Sequence, residues 1–254
     1  MMLILLAGNI SIAQDNAVYQ KKWFVHNRDT MPFRILLPQN MDANKKYPLV
    51  FFLHGSGERG KDNVLQLLHG SKLFSNQKAR ESFPAIVIFP QCSVNGYWSN
   101  VIIKTDAATG KTFQFTTDGL PTNDMQLLIK LVTYAIDAYP VDNKRVSIGG
   151  LSMGGMGVFE IARRMQGVFA AAFPICGGAQ PSTAKYLTKI NWWIFHGDKD
   201  DVVLPAYSKN MFLALQKQKA NVKFTLYPLA NHNSWDAAFA EPNLLSWLFA
   251  QHKP

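Results

Sequence analysis

Val146-Ser147-Ile148-Gly149-Gly150-Leu151-Ser152-Met153-Gly154-Gly155 is the stretch on which the reading of this chain turns. A short apolar run stops at glycines, presents one serine, and resumes as Met156-Gly157-Val158-Phe159-Glu160-Ile161-Ala162-Arg163-Arg164, which reads as a helix. Gly150, Ser152 and Gly154 satisfy G-x-S-x-G, the strand-to-helix elbow that holds a serine hydroxyl over the end of a sheet. Glycine is required on both sides, because the turn is tight and the helix packs too close for a Cβ. The pattern is short, so its meaning rests on whether the rest of the chain supplies partners for the serine.

Working outward, Pro48 to Leu53 and Ala85 to Phe89 are continuous apolar runs, the signature of strands buried on both faces of a parallel sheet. Further strands are expected at the elbow, over 169–175, over 190–195 and over 222–227. Helical spacing predicts helices over 63–74, with Val64, Leu65, Leu67 and Leu68 on the packed side, from Pro121-Thr122-Asn123-Asp124 to just before Pro140, over 206–219 and over 235–251. Two strands, 21–26 and 32–38, open the chain as an antiparallel pair. Residues 93–120 break the alternation, and 101–103 with 112–115 read as a hairpin insertion. Parallel strands demand helical crossovers, so the expected architecture is a three-layer α/β fold. It has a mostly parallel sheet with helices on both faces, and residues 14–254 form one domain without internal repeats.

The composition excludes several classes. Of 254 residues 48% are apolar and 17% charged, a globular balance. The net charge of +9 is scattered over the chain with no arginine-rich stripe, which predicts a solvated basic surface and no nucleic-acid partner. Met1 to Ala13 carries no charge and ends in Ser11-Ile12-Ala13, the apolar half of a secretory signal lacking its basic start, as a truncated beginning would leave it. A secreted or periplasmic protein is the expectation. That run is too short to span a bilayer and no other is long enough, so no stable membrane insertion is expected. Cys92 and Cys176 each follow an expected strand and read as buried free thiols rather than a disulfide framework.

A serine hydroxyl is a poor nucleophile until a base takes its proton, and that base needs an orienting acid. In open α/β sheets such groups collect beyond the carboxyl ends of strands. One such loop is His196-Gly197-Asp198-Lys199-Asp200-Asp201, with three candidate acids; another is Leu229-Ala230-Asn231-His232-Asn233-Ser234-Trp235. A third is His54-Gly55-Ser56-Gly57-Glu58-Arg59-Gly60. Serine, then aspartate, then histidine is the order of an α/β-hydrolase.

On these motifs the chain resembles the α/β-hydrolases of the dienelactone-hydrolase, phospholipase/carboxylesterase and feruloyl-esterase-like group, which includes secreted bacterial esterases labelled as peptidases. The resemblance runs from the third strand to the C-terminus. It implies Ser152 as nucleophile and His232 as base. Through the H-G-x-x-D match at His196 to Asp200 it implies Asp200 as the acid, with Asp198 and Asp201 as rivals. It further implies an oxyanion hole from the backbone N–H of Met153 and, in the loop His54-Gly55-Ser56-Gly57, that of Ser56. His54 and His196 are expected to support their loops, Glu58 and Arg59 to pair, and Trp98 and Gln91 to be candidates for lining the cleft. His26, His69 and His252 are expected to lack partners. No metal or cofactor is called for, since the histidines lack ligand spacing such as H-E-x-x-H. The segment 177–189 is too short to build a large lid, so an open cleft is expected. The implied function is a serine carboxylesterase acting on small-acyl or feruloyl-type esters, carried on polysaccharide. The alternatives are a serine peptidase of the same fold and a catalytically silent carbohydrate-binding homologue.

Overall fold

In the computed structural model, residues 17–106 and 110–253 are described. The signal-like segment 1–13 lies outside them. The strands are β1 (Gln20–His26), β2 (Asp29–Leu36), β3 (Tyr47–Leu53), β4 (Ile86–Pro90), β5 (Val101–Asp106), β6 (Gly110–Phe115), β7 (Val141–Leu151), β8 (Ala171–Ile175), β9 (Asn191–Gly197) and β10 (Val222–Tyr227). Eight of them form one sheet in the order β1-β2-β4-β3-β7-β8-β9-β10, and β5 and β6 form a separate antiparallel hairpin. Only β2 runs against its neighbours in the large sheet; every other pairing is parallel.

Residues of β3 show why continuous apolar runs sit in the middle. Leu49, Phe51 and Leu53 face one core and Val50 and Phe52 the other, because side chains alternate along a strand. The helices are α1 (Ser71–Ser75), α2 (Gln77–Ser82), α3 (Asn123–Ala138), α4 (Met153–Arg164), α5 (Pro205–Lys217), α6 (Trp235–Phe239) and α7 (Leu244–Ala250). Apolar faces of α3, α4 and α5 cover the first core, and those of α1, α6 and α7 the second. The result is the three-layer α/β-hydrolase architecture, with no large lid domain among the described residues. Local chemistry sets the ends of α3. The Thr122 hydroxyl accepts from the Met125 N–H at its start, and Pro140, which cannot continue a helix, follows its last turn.

Two helices differ from the sequence expectation. Over 63–74 the chain makes a 3-10 turn (Leu65–Leu67) and then α1, and of the four residues expected to pack only Leu67 is buried. Asn63 at φ 55° and Gly70 at φ +81° interrupt the helical path, while Asp62 Oδ1 accepts from the Val64 and Leu65 amides. The closing helix splits into α6 and α7 around Ala240-Glu241-Pro242-Asn243. Pro242 lacks the N–H that a helix interior needs. Cys92 and Cys176 are both buried and free.

Candidate active site

The elbow lies between the carboxyl end of β7 and α4. Ser152 sits at φ 53°, ψ −118°, a conformation an L-residue adopts only when its surroundings hold it there. Its N–H donates to Ile175 O (2.9 Å), and its carbonyl accepts from Met156 N (3.0 Å). A Cβ on Gly154 would stand 2.0 Å from Leu53 O, so only glycine lets α4 approach the end of β3.

Three loops meet over this elbow. Ser152 Oγ lies 3.0 Å from His232 Nε2, and His232 Nδ1 lies 2.8 Å from Asp200 Oδ2. Since Nδ1 faces a carboxylate it carries the ring hydrogen, leaving Nε2 as an acceptor for the serine hydroxyl. The loops of Asp200 and His232 are tied together by Asp198 N–H to Tyr227 O (3.0 Å) and Lys199 N–H to Ala230 O (2.8 Å). They cross so closely that a Cβ on Gly197 would meet Ala230 O and Asn231 O at 2.4 Å. Asp198 and Asp201, the rival acids, are exposed.

Asp200 is held by four donors. Its Oδ1 accepts from the amides of Val202 (3.0 Å) and Val203 (2.9 Å), and its Oδ2 from His232 and from His196 Nε2 (3.1 Å). Burial works to raise its pKa. The hydrogen bonds from His196, His232 and Val203, with the charge of His232, outweigh that and hold the carboxyl well below the usual carboxylate range. His196 is itself fixed by Ser208 Oγ on Nδ1 (2.7 Å), so Ser208 braces the acid at one remove.

The two amides named for an oxyanion hole sit at helix starts. Met153 is the first residue of α4 and Ser56 the first of a 3-10 turn, Ser56–Glu58. An N–H in that position has no partner within its own helix or turn. His54 supports the Ser56 loop: Nδ1 donates to Gly55 O (2.6 Å) and Nε2 accepts from Cys92 N–H (2.9 Å).

Several expectations are corrected. Trp98 and Gln91 do not line the cleft; both are buried supports, because their polar atoms are consumed by the loops beneath it. Trp98 Nε1 donates to His54 O (3.2 Å), while Gln91 accepts from Asn63 N–H (2.8 Å) and donates to Glu58 O (3.2 Å). Glu58 and Arg59 do not pair. Glu58 turns inward to His69 Nε2 at 3.8 Å, and Arg59 donates to the carbonyls of Ser56 (2.9 Å) and Gly96 (3.3 Å). His69 therefore has a partner, and its ring also packs on Trp235, 5.2 Å between centroids.

The cleft over Ser152 and His232 holds about 310 Å³ and is walled by Ser56, Arg59, Tyr97, Ile103, Lys111, Phe113, Met156, Val202 and Val203. Three of those residues, Ile103, Lys111 and Phe113, were missed in the sequence because they come from the β5–β6 hairpin, which folds back onto the body. Phe113 and Phe115 meet Tyr207 edge-on at 5.8 Å, and the Phe113 N–H donates to the Tyr207 hydroxyl (2.9 Å). Alternating Phe113 and Phe115 on one strand was the available signal. A larger groove of about 570 Å³, between Lys45, Lys46, Phe83 and Arg145, lies at the amino end of β3, away from these side chains.

Cys176, Asp200 and His232 offer atoms within 4.8 Å of one another, the one such grouping of metal-ligand types among the described residues. Burial, and then the charge of Asp200, push the Cys176 thiol well above its ordinary range, and the other two side chains already bond each other. The donor set therefore fits a serine–histidine–carboxylate relay better than a metal ion.

A sheet with one antiparallel strand near its edge, a strained serine elbow and a histidine and an acid on later loops define the α/β-hydrolase class. The Esterase family model matches residues 27–233, and the chain belongs to that family. Among solved structures, a thermostable esterase is 29% identical with a TM-score of 0.84; the alignment covers 94% of this chain and 64% of that one. This chain thus spans somewhat less than two thirds of that esterase. A ferulic acid esterase from Anaeromyces mucronatus, in complex with ferulic acid, superposes at TM-score 0.65 with 16% identity, covering 92% and 90% of the two chains. A mutant feruloyl esterase module from Clostridium thermocellum, complexed with sinapinate, does so at 0.63 with 17% identity, covering 91% and 86%. At that identity the likeness is one of fold. No curated protein matches the sequence. Among the described residues no helix is long and apolar enough to cross a membrane.

Proposed function

We propose that the protein is a serine carboxylesterase that hydrolyses small-acyl or feruloyl-type esters carried on carbohydrate. The observation that carries this reading is the unbroken line Ser152 Oγ to His232 Nε2 (3.0 Å) and His232 Nδ1 to Asp200 Oδ2 (2.8 Å), opening on a cleft. Ser152 Oγ adds to the ester carbonyl as His232 Nε2 takes its proton. Collapse expels the alcohol, which leaves with that proton and gives an acyl-serine. Water then attacks the acyl group, passing a proton to the same nitrogen, and the acid departs as Ser152 regains its hydrogen. Asp200 keeps the imidazole in the required tautomer and stabilises the imidazolium. The amides of Met153 and Ser56 receive the oxyanion, and losing one such donor costs about 3 kcal/mol.

The cleft is short and partly apolar, with Tyr97, Ile103, Phe113 and Met156 as walls, which suits an acetyl or aromatic acyl group better than a long chain. Two proteins of the same fold were solved with ferulic acid and with sinapinate, in line with an aromatic acyl group. Export through residues 1–13 would bring such an enzyme to polysaccharide outside the cell. The test is a panel of acetyl, feruloyl and long-chain esters with a peptide amide. The expected order places acetyl or feruloyl first, and a peptide amide cleaved faster than every ester would end the proposal.

A further inference from the structure

The cleft carries a charge that hydrolysis itself does not need. Arg59 and Lys111 both line it, and no carboxylate is among the described residues that do. Neither cation has a carboxylate partner within ion-pairing distance among the described residues. Arg59 is aimed rather than loose: its Nε donates to Ser56 O (2.9 Å) and one terminal nitrogen to Gly96 O (3.3 Å), which leaves the rest of its fork unspent. Lys111 enters the cleft from a different element, the β5–β6 hairpin. On β6 it shares a face with Phe113 and Phe115, the residues that dock the hairpin, because side chains two apart on a strand point the same way. The docking that buries Phe113 therefore turns Lys111 toward the cleft. Two cations lining the same cleft as the nucleophile, with no carboxylate among its described lining residues, favour an anion there. The chain's net charge of +9 acts in the same sense at longer range.

We infer that the preferred substrate is an ester bearing a carboxylate close to the scissile bond, held between Arg59 and Lys111. This rests on the esterase reading above and narrows it. The carboxylate could sit on the acyl side, as in a dicarboxylic half-ester, or on the alcohol side, as in an acylated uronic acid.

Two matched pairs of substrates separate these sources: mono-4-nitrophenyl adipate against its methyl ester, and O-acetylated methyl galacturonoside against O-acetylated methyl galactoside. In at least one pair the wild-type protein should favour the anionic member about tenfold in kcat/KM, the scale of one hydrogen bond to a charged group. That ratio should fall toward one in about 1 M salt, where screening acts within roughly 3 Å. Lys111→Gln and Arg59→Gln should each lower the same ratio, whatever they do to the absolute rate. Lys111 is exposed on the hairpin, so its replacement does not threaten folding. Hydrolysis of the neutral esters with no anionic preference in either pair would overturn the inference and leave the esterase reading standing. A preference that survives both substitutions would also overturn it. Hydrolysis of none of the four would overturn both.

Discussion

Two histidine–glycine pairs stand at the carboxyl ends of buried strands in the same sheet, His54-Gly55 just after β3 and His196-Gly197 at the end of β9, and their Nε2 atoms play opposite roles, one accepting and one donating. His54 meets a carbonyl with Nδ1 and an amide N–H with Nε2, so its hydrogen is on Nδ1. His196 meets a carboxylate and a carbonyl with Nε2, at 3.1 Å to Asp200 and 2.7 Å to Val203, so Nε2 carries a hydrogen and donates. The same dipeptide therefore does two jobs. One histidine braces the loop that carries the Ser56 amide; the other donates to the carboxylate that meets His232 Nδ1. Which partner faces Nε2 separates them, and that is a property of the neighbouring loop rather than of the pair itself.

The largest effect that would break this contrast lies on the His196 side, at the acid it braces. Asp200→Asn should lower kcat about 10,000-fold with the fold intact, because an amide side chain no longer enforces the Nδ1–H tautomer of His232. Steady-state kinetics with a far-UV spectrum would check it.

On the His54 side the effect is on stability. Burial first, opposed by the bond to Gly55 and assisted by the charge of Arg59, lowers His54 to about 4. The unfolded chain, with a histidine near 6.5, binds more protons than the folded one between those values, so stability falls as pH drops through that window. This histidine should account for a loss of about 3 kcal/mol between pH 7.5 and pH 3.5, read from denaturant unfolding curves. A stability flat from pH 7 to pH 4 would mean that His54 is not kept neutral.

A smaller effect sharpens the comparison. His196→Gln removes one of four donors to Asp200, and should cost roughly tenfold in kcat with KM little changed. Smallest of all, Asp198→Asn and Asp201→Asn should stay within about twofold of wild type, since both side chains are exposed.

Much of the frame was legible because it depends on local pattern. The apolar runs of β3 and β4 could only be strands covered on both sides, and G-x-S-x-G marked the crossing from β7 to α4. Ser152 and His232 were marked by the elbow and by chain order, and Asp200 was chosen among three acids by the family resemblance; Ser152 lies within hydrogen-bonding distance of His232, and His232 of Asp200. What was not legible depends on distant segments. The leucines of 63–74 read as a helix, yet Val64, Leu65 and Leu68 are exposed, because Asp62 draws the Val64 and Leu65 amides into a turn and Gly70 ends the path. By position Trp98 and Gln91 read equally as cleft residues or as a packed aromatic and a turn residue, and their hydrogen bonds set them beneath the cleft. The hairpin was visible as an insertion, but nothing in its sequence told that Tyr207, nearly a hundred residues later, would receive it.

The central claim is that Ser152 is a nucleophile activated by His232. Intact, folded protein should be treated with a fluorophosphonate probe and the adduct located by peptide mass spectrometry. A single adduct on Ser152, lost in Ser152→Ala and strongly slowed in His232→Ala, is the predicted result. Folded protein that takes no label, or takes it on another residue, would contradict the account.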